Sequence, residues 1–491
     1  MIHVNASIPR MVAIMSQSSG YLLLFVFGAA MVVATYIFAR VRPGMTRESF
    51  LVARRDMNWI LSGTSIAASW IWAGALFVSI QVAYQKGLAG IFWFTLPNIL
   101  ALLIFTRLGT KIRDKFALGY TLPEYVGMTL KSPRVQKLYL LPFFFGQLIA
   151  ITFNVFAGGA VIAFLTGIPL TVVMPLLIII ALVYTWISGL EASIITDFLQ
   201  MVLIVAGIVV IVPLAIWNAG GIGAVAGGLT GTAGTLNVFD PWIMFSFGLV
   251  TSIGLISQTI NDQQFWQRVF AVKREDIGRS FALGAILFAL VPIALSALGF
   301  LAANPALGVS LPAGMDQSLI GVLSVGTFVG ASAAVVYTVI MLSGLLSTID
   351  SAMSATSSLW VTDFIPLFRT KRQLSDAEVV RQSRFAMALV SLLGLSFAYV
   401  SYYVAGFGIA QLFLISISVS AATAVPTVLS LYWDGLNERG VFWGILISIV
   451  IGMPLFFYAN YVKSDGLTAF ASLFMLVSST LFCLFTPARR G

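Results

Sequence analysis

One cysteine, Cys483, and one histidine, His3, are all the chain has of either residue. That excludes a disulfide framework and a His/Cys metal centre, so no transition metal is expected. Charged residues make up 9% of the sequence, too few for the surface of a soluble enzyme of this length. No phosphate loop, nucleophile–base pair or metal-ligand cluster can be found, so no enzyme and no organic cofactor are expected. Acids are scarce, and only Asp197 and Asp350 fall within or beside apolar runs. The formal charge of +9 raises nucleic acid as a partner. The basic residues, however, lie in short loops between apolar runs, as in a membrane protein with positive cytoplasmic loops.

What the chain has in abundance is apolar sequence: 59% hydrophobic residues and a mean hydropathy of +1.00. With about 20 apolar residues needed per crossing, the runs resolve into thirteen spans. In order these are 21–39, 59–84, 91–108, 138–165, 170–186, 192–217, 242–260, 282–303, 319–360, 385–404, 409–433, 441–461 and 467–485. The first is too long for a signal-peptide core and lacks a clear cleavage site, so it reads as a retained helix. The ninth is too long for one crossing and is expected to include an extracellular helix. With thirteen spans, all Lys and Arg except Arg10, Lys86 and Lys463 fall on one side. The positive-inside rule then puts the N-terminus outside and the C-terminus in the cytoplasm of a plasma (inner) membrane.

The polar exception is Gly344–Ser358, within span nine. It carries Asp350 with hydroxyls at Ser347, Thr348, Ser351 and Ser354. An aspartate at mid-helix costs roughly 3 kcal/mol in lipid unless a pore or an ion compensates it. Gly344, Ser347, Thr348 and Ser351 stand at i, i+3, i+4 and i+7, one helical face, and small hard cations choose oxygen ligands. Spans two and seven, five helices apart and of opposite direction, are both interrupted by Gly and Ser, a pattern of inverted-repeat transporters. Each feature has a plainer reading too. Gly and Ser serve helix packing, hydroxyls bond back to carbonyls four residues earlier, and Asp197 suits a helix N-terminus.

Three motifs, in order along the chain, carry a resemblance. They are Ser188-Gly189-Leu190-Glu191-Ala192 with Thr196, Asp197 and Gln200; Asp262-Gln263-Gln264 with Gln267-Arg268; and Ser347-Thr348-Ile349-Asp350-Ser351 with Ser357-Ser358 and Asp363. Together they resemble the sodium:solute symporter family, which includes sodium/proline, sodium/glucose, sialic acid and urea carriers. The resemblance implies an all-α polytopic membrane protein with a LeuT-like core of five plus five inverted helices. The whole of 1–491 would be one transporter domain. Repeats would cover roughly 57–218 and 241–433, with peripheral helices at 19–41, 440–461 and 466–486.

It also implies a sodium site formed by the carbonyls of Ala67 and Trp70 with Gly344, Ser347 and Thr348. A second cation or proton site would use Asp197, Asp350 and Ser351, with Thr348. Span two has no acid at Ser65–Trp72, where proline carriers have an aspartate; this argues against a proline-like solute. Segments at 68–73, 82–87, 90–93 and 265–268 are similar to the urea-transporting branch. Ser69, Trp72, Asn98, Gln258 and Gln411 are the candidates for the solute pocket. A pocket of Trp and amide groups with no free acid or base in the outer half suits a small neutral polar solute, urea-like. The expected function is sodium-coupled import by alternating access, with the lipid bilayer and the solute as partners, no nucleic acid, and a monomer or weak homo-oligomer. A proton-coupled carrier and a transporter-like membrane sensor are the alternatives; an ion channel is disfavoured because no filter-like loop or ring of charge is present.

Overall fold

The computed structural model describes residues 15–232, 234–311, 316–368, 373–418 and 420–486. His3, Arg10, Arg369, Lys371, Arg372, Arg489 and Arg490 lie outside them. Among the described residues the structure is helical, and twelve helices are long and apolar enough to cross a membrane. One of these, Gly74–Lys115, has 42 residues and is two crossings. At Gly87 the backbone takes φ 59° and ψ −142°, a conformation open to glycine without steric cost, and the chain turns back. The segment before Gly87 continues the shorter helix Trp59–Trp70 across a break at Ile71, so spans two and three are both present. Among the described residues thirteen candidate crossings result.

The other crossings follow the apolar runs, with ends that differ by a few residues because charged first and last turns remain helical. Span six is Leu190–Asn218 and span eight Arg274–Ala303; the latter starts in what reads as a loop. The long ninth run divides at Gly330 (φ 92°). A helix over Gln317–Phe328 precedes the crossing, which runs from Ala331 to Phe368.

Burial separates the centre of the bundle from its periphery. Spans four and nine are 83% buried over their apolar windows, against 28% for span one and 39% for each of the last two. A helix that faces protein all round cannot present its polar groups to lipid. The hydroxyls and carboxylates of span nine therefore have to find partners on the helices packed around it.

Candidate ion site and polar cavity

Span two is broken where it meets span nine. Its helix ends at Trp70, and Ile71 leaves helical geometry at φ −84°, ψ 67°. The Ile71 N–H still reaches the carbonyls of Ala67 (2.9 Å) and Ala68 (3.1 Å). The Ala73 N–H donates to Asn154 Oδ1 of span four at 2.9 Å, so a side chain from outside the helix replaces the missing turn. Thr348 Oγ1 of span nine donates to the Ser69 carbonyl at 3.0 Å and to the Gly344 carbonyl at 3.2 Å. Gly344 allows this approach: a Cβ there would lie 2.5 Å from the Ile71 carbonyl oxygen.

Next to this contact, two buried carboxylates are held differently. Asp197 pairs with Arg268 at 2.8 Å, both side chains fully buried. It also accepts hydrogen bonds from Ser65 and Ser347. The Arg268 guanidinium spreads over three helices, since Nε donates to Ser65 Oγ (2.9 Å) and Nη2 to Ser351 Oγ (2.7 Å). Asp350 has hydroxyls in place of a cation. Tyr184 and Ser193 donate at 2.6 Å each, with longer contacts from Ser351 (3.3 Å) and Thr196 (3.4 Å).

Arg268 reaches this depth because it sits on a short helix, Gln263–Ala271, every residue of which is buried. Its Gln263 and Gln267 amides bond to Tyr120 O, Ser358 Oγ and Leu51 O. Arg268 is thus an interior charge and not one of the loop charges with which the sequence groups it. Asp262 caps this helix, accepting from the Gln264 N–H at 2.9 Å and from Gln147 Nε2 at 3.0 Å. Burial pushes its carboxyl up from the ordinary 3.8 to about 6. A raised acid favours the fold while protonated, so its stabilising effect is present below the unfolded value and is lost as pH rises through about 6. Asp262→Asn keeps an acceptor for the cap. It is therefore expected to melt no lower than the parent at neutral pH, and the gap should close on acidification through about pH 6 when followed by intrinsic fluorescence.

The structure brings Gly344, Ser347 and Thr348 next to the broken segment that contains Ala67 and Trp70. Ser347, however, turns its hydroxyl to Asp197. Asp197, Asp350 and Ser351 form one cluster, joined by Arg268, Tyr184 and Ser193, which sequence reasoning had not placed there. A signal for Arg268 is visible in the chain: it is a lone cation among Phe265, Trp266, Val269 and Phe270.

The five solute candidates do not converge. Ser69 belongs to the ion cluster, bonding to Ser65 O (2.8 Å) and meeting Ser351 Oγ (3.0 Å). Trp72 stacks on Trp70 with ring centroids 5.5 Å apart and meets Phe153 and Phe413. Asn98 and Gln258 are buried with their amide oxygens unpartnered, as is Trp72 Nε1. Gln411 lies apart from these, in a cavity of about 280 Å3 that it shares with Gln81, Gln85, Lys86, Lys463 and Asp465. The sequence leads one to expect no acid or base at a pocket of the outer half, whereas this cavity is lined by Lys86, Lys463 and Asp465. Phe413 lines this cavity and touches Trp72 (5.7 Å) and Phe94 (6.0 Å) behind it.

Comparison with known proteins bears on the fold and the family. The chain is 24% identical over 485 residues to a urea-proton symporter of Oryza sativa subsp. japonica, covering 90% of this chain and 66% of that protein. It is 24% identical over 311 residues to probable urea active transporter 1 of Schizosaccharomyces pombe, covering 59% of this chain and 46% of that one. It thus spans less than two thirds of the length of either relative. In structure it superposes on a sodium-coupled sialic acid symporter in a substrate-bound outward-open state. The TM-score is 0.76 at 18% identity, covering 96% of this chain and 98% of the other, and it establishes the common inverted-repeat fold. The model of the sodium:solute symporter family matches residues 50–448, and the chain belongs to that family.

Proposed function

We propose that the protein couples sodium entry to the import of a small polar organic solute, with a urea-like molecule the first to test. The observation that carries this reading is the seat of the broken span two on Gly344, with Thr348 donating to the Ser69 carbonyl. There the Ser69 carbonyl, freed where the Ala73 N–H turns to Asn154, meets the hydroxyl face of span nine, the oxygen-rich setting a small hard cation needs. The sodium ligands would be the carbonyls of Ala67 and Trp70 with Gly344, Ser347 and Thr348. Binding ties spans two and nine together, and a solute that prefers the same state binds more tightly in consequence. Inward rocking of one helix bundle against the rest of the protein would separate the two spans and release both ligands. With the basic loops cytoplasmic, the membrane potential adds about 2.3 kcal/mol per charge per 100 mV to inward movement.

The urea-like solute is supported by relatives whose names specify urea and by the unpartnered amide oxygens of Asn98 and Gln258. The expected result is uptake of labelled urea into proteoliposomes that collapses when sodium is replaced by choline at fixed pH. Acetate, proline and a sugar serve as comparisons. Accumulation of another solute under the sodium gradient would sink the urea assignment alone, and uptake indifferent to sodium would sink the coupling.

A second reading rests on Asp350, whose carboxylate has four hydroxyl partners and no cationic one among the described residues. A proton carried there would couple transport to pH, in keeping with the rice relative's name. Under it, Asp350→Asn abolishes pH-driven uptake. Under the sodium reading, the sodium dependence of that variant's uptake survives.

A further inference from the structure

We propose that the cavity around Gln411, which faces outward when the basic loops are cytoplasmic, is a second solute site, built in part by the peripheral helices and suited to a compact neutral amide. It rests on the solute-symport reading and assigns that reading a step before the mid-membrane site. Three observations carry it.

The cavity is walled from two sources. Gln81 and Lys86 come from span two and Gln411 from span eleven, but Lys463 and Asp465 come from the junction of the last two helices. That helix pair lies outside the five-plus-five core, so the cavity gives it a part in solute access. Gln81 is 7% exposed and its Oε1 has no hydrogen-bond partner, although it lines the cavity. A buried acceptor left without a donor is unfavourable, and a donor placed in the cavity would relieve it. Lys86 is half-buried, its ammonium 5.9 Å from the centroid of the Phe247 ring. Among the described residues neither Lys86 nor Lys463 makes a salt bridge.

The chemistry selects among ligands. Two ammoniums repel a cation. An anion would satisfy them but would meet the Asp465 carboxylate and leave the Gln81 oxygen without a donor. A carbonyl flanked by N–H groups serves both kinds of partner, accepting from lysine and donating to Gln81 and Asp465. The volume holds such a molecule together with several waters, each taking roughly 30 Å3. At the inner end Phe413 separates the cavity from Trp72, so a solute held here waits behind an aromatic side chain.

The test uses cysteine protection in the full chain. The natural Cys483 is fully buried, so Ser246→Cys, on the cavity wall, provides the reactive thiol; Thr468→Cys is the second reporter should the first fold poorly. In proteoliposomes, acetamide and urea are expected to slow maleimide labelling of Ser246→Cys several-fold, while acetate and tetramethylammonium leave it unchanged. Adding Gln81→Leu or Lys86→Met should raise the acetamide concentration needed for protection roughly tenfold, the loss of one hydrogen bond to the ligand. Protection by acetate equal to that by acetamide overturns the ligand class, and absence of protection by any probe overturns the site. Gradient-driven uptake in the same vesicles separates this proposal from the one beneath it. Uptake without protection removes the outer site alone, whereas protection without uptake of any solute leaves the site and removes the symport step.

Discussion

Replacing Arg268 with methionine is expected to abolish transport and to destabilise the fold by about 3–5 kcal/mol, the range for a buried ion pair that loses one partner. Arg268 and Asp197 are both fully buried, so the variant leaves a carboxylate in the protein interior without its cation. Ser65 and Ser347 still donate to Asp197, but two hydroxyls do not replace a guanidinium that also reaches Ser351 and the Gln264 carbonyl. Removing both charges separates stability from function. Arg268→Met with Asp197→Asn should recover most of the lost melting temperature, since apolar or neutral replacements of a whole buried pair are often tolerated. Transport is expected to stay impaired, because the cross-link between the 263–271 helix, span two, span six and span nine is gone. Arg268→Lys tests the geometry. One ammonium cannot present the guanidinium's fork to Ser65, Asp197 and Ser351 together, so partial stability with poor uptake is the expected outcome. Thermal melts in detergent and vesicle uptake provide the two readouts. A single variant that melts like the parent would show that the pair does not hold the bundle together.

Arg268 also marks where the sequence is least informative. The crossings are legible because apolar runs of about 20 residues are dictated by the bilayer and not by neighbouring helices. Gly344, Thr348 and Asp350 stand out because a carboxylate and hydroxyls in such a run are costly unless met by something. The identity of what meets them is a tertiary fact. Tyr184 and Ser193 look like ordinary packing residues of spans five and six, and only the fold carries them to Asp350. Arg268 sits in a stretch too short and too polar to count as a crossing, so by composition it groups with the loops. The fold instead tucks the whole 263–271 helix inside. Solute candidates fared differently for a similar reason. A polar residue in an apolar run announces that it needs a partner, without saying whether the partner is a ligand or another helix. Ser69 found Ser65 and Ser351, while Asn98 and Gln258 retain unpartnered oxygens.

Gly344→Ala is expected to cost more in function than in stability. The added methyl would stand 2.5 Å from the Ile71 carbonyl and 2.9 Å from Leu76 Cδ1. The leucine end can swing aside, but the carbonyl belongs to the broken backbone itself. Relief therefore comes from moving the break away from span nine, which would spread the oxygens proposed to hold sodium. Span two is enclosed by neighbours on this side, so the protein should still assemble and melt cooperatively. The sodium concentration for half-maximal uptake should rise at least roughly tenfold, the equivalent of 1.4 kcal/mol. Thr348→Ala removes the donor to the Ser69 carbonyl without adding bulk, and Thr348→Ser restores it. Loss in the alanine variant and recovery in the serine variant would tie the effect to the hydroxyl and not to helix packing. Ser347→Ala completes the set. In this structure its hydroxyl faces Asp197, so a site made as proposed requires that hydroxyl to turn when sodium binds. If both Ser347→Ala and Thr348→Ala keep the parent's sodium dependence, the cation does not bind at the junction of spans two and nine. The close packing of Gly344 on Ile71 would then be a structural contact only.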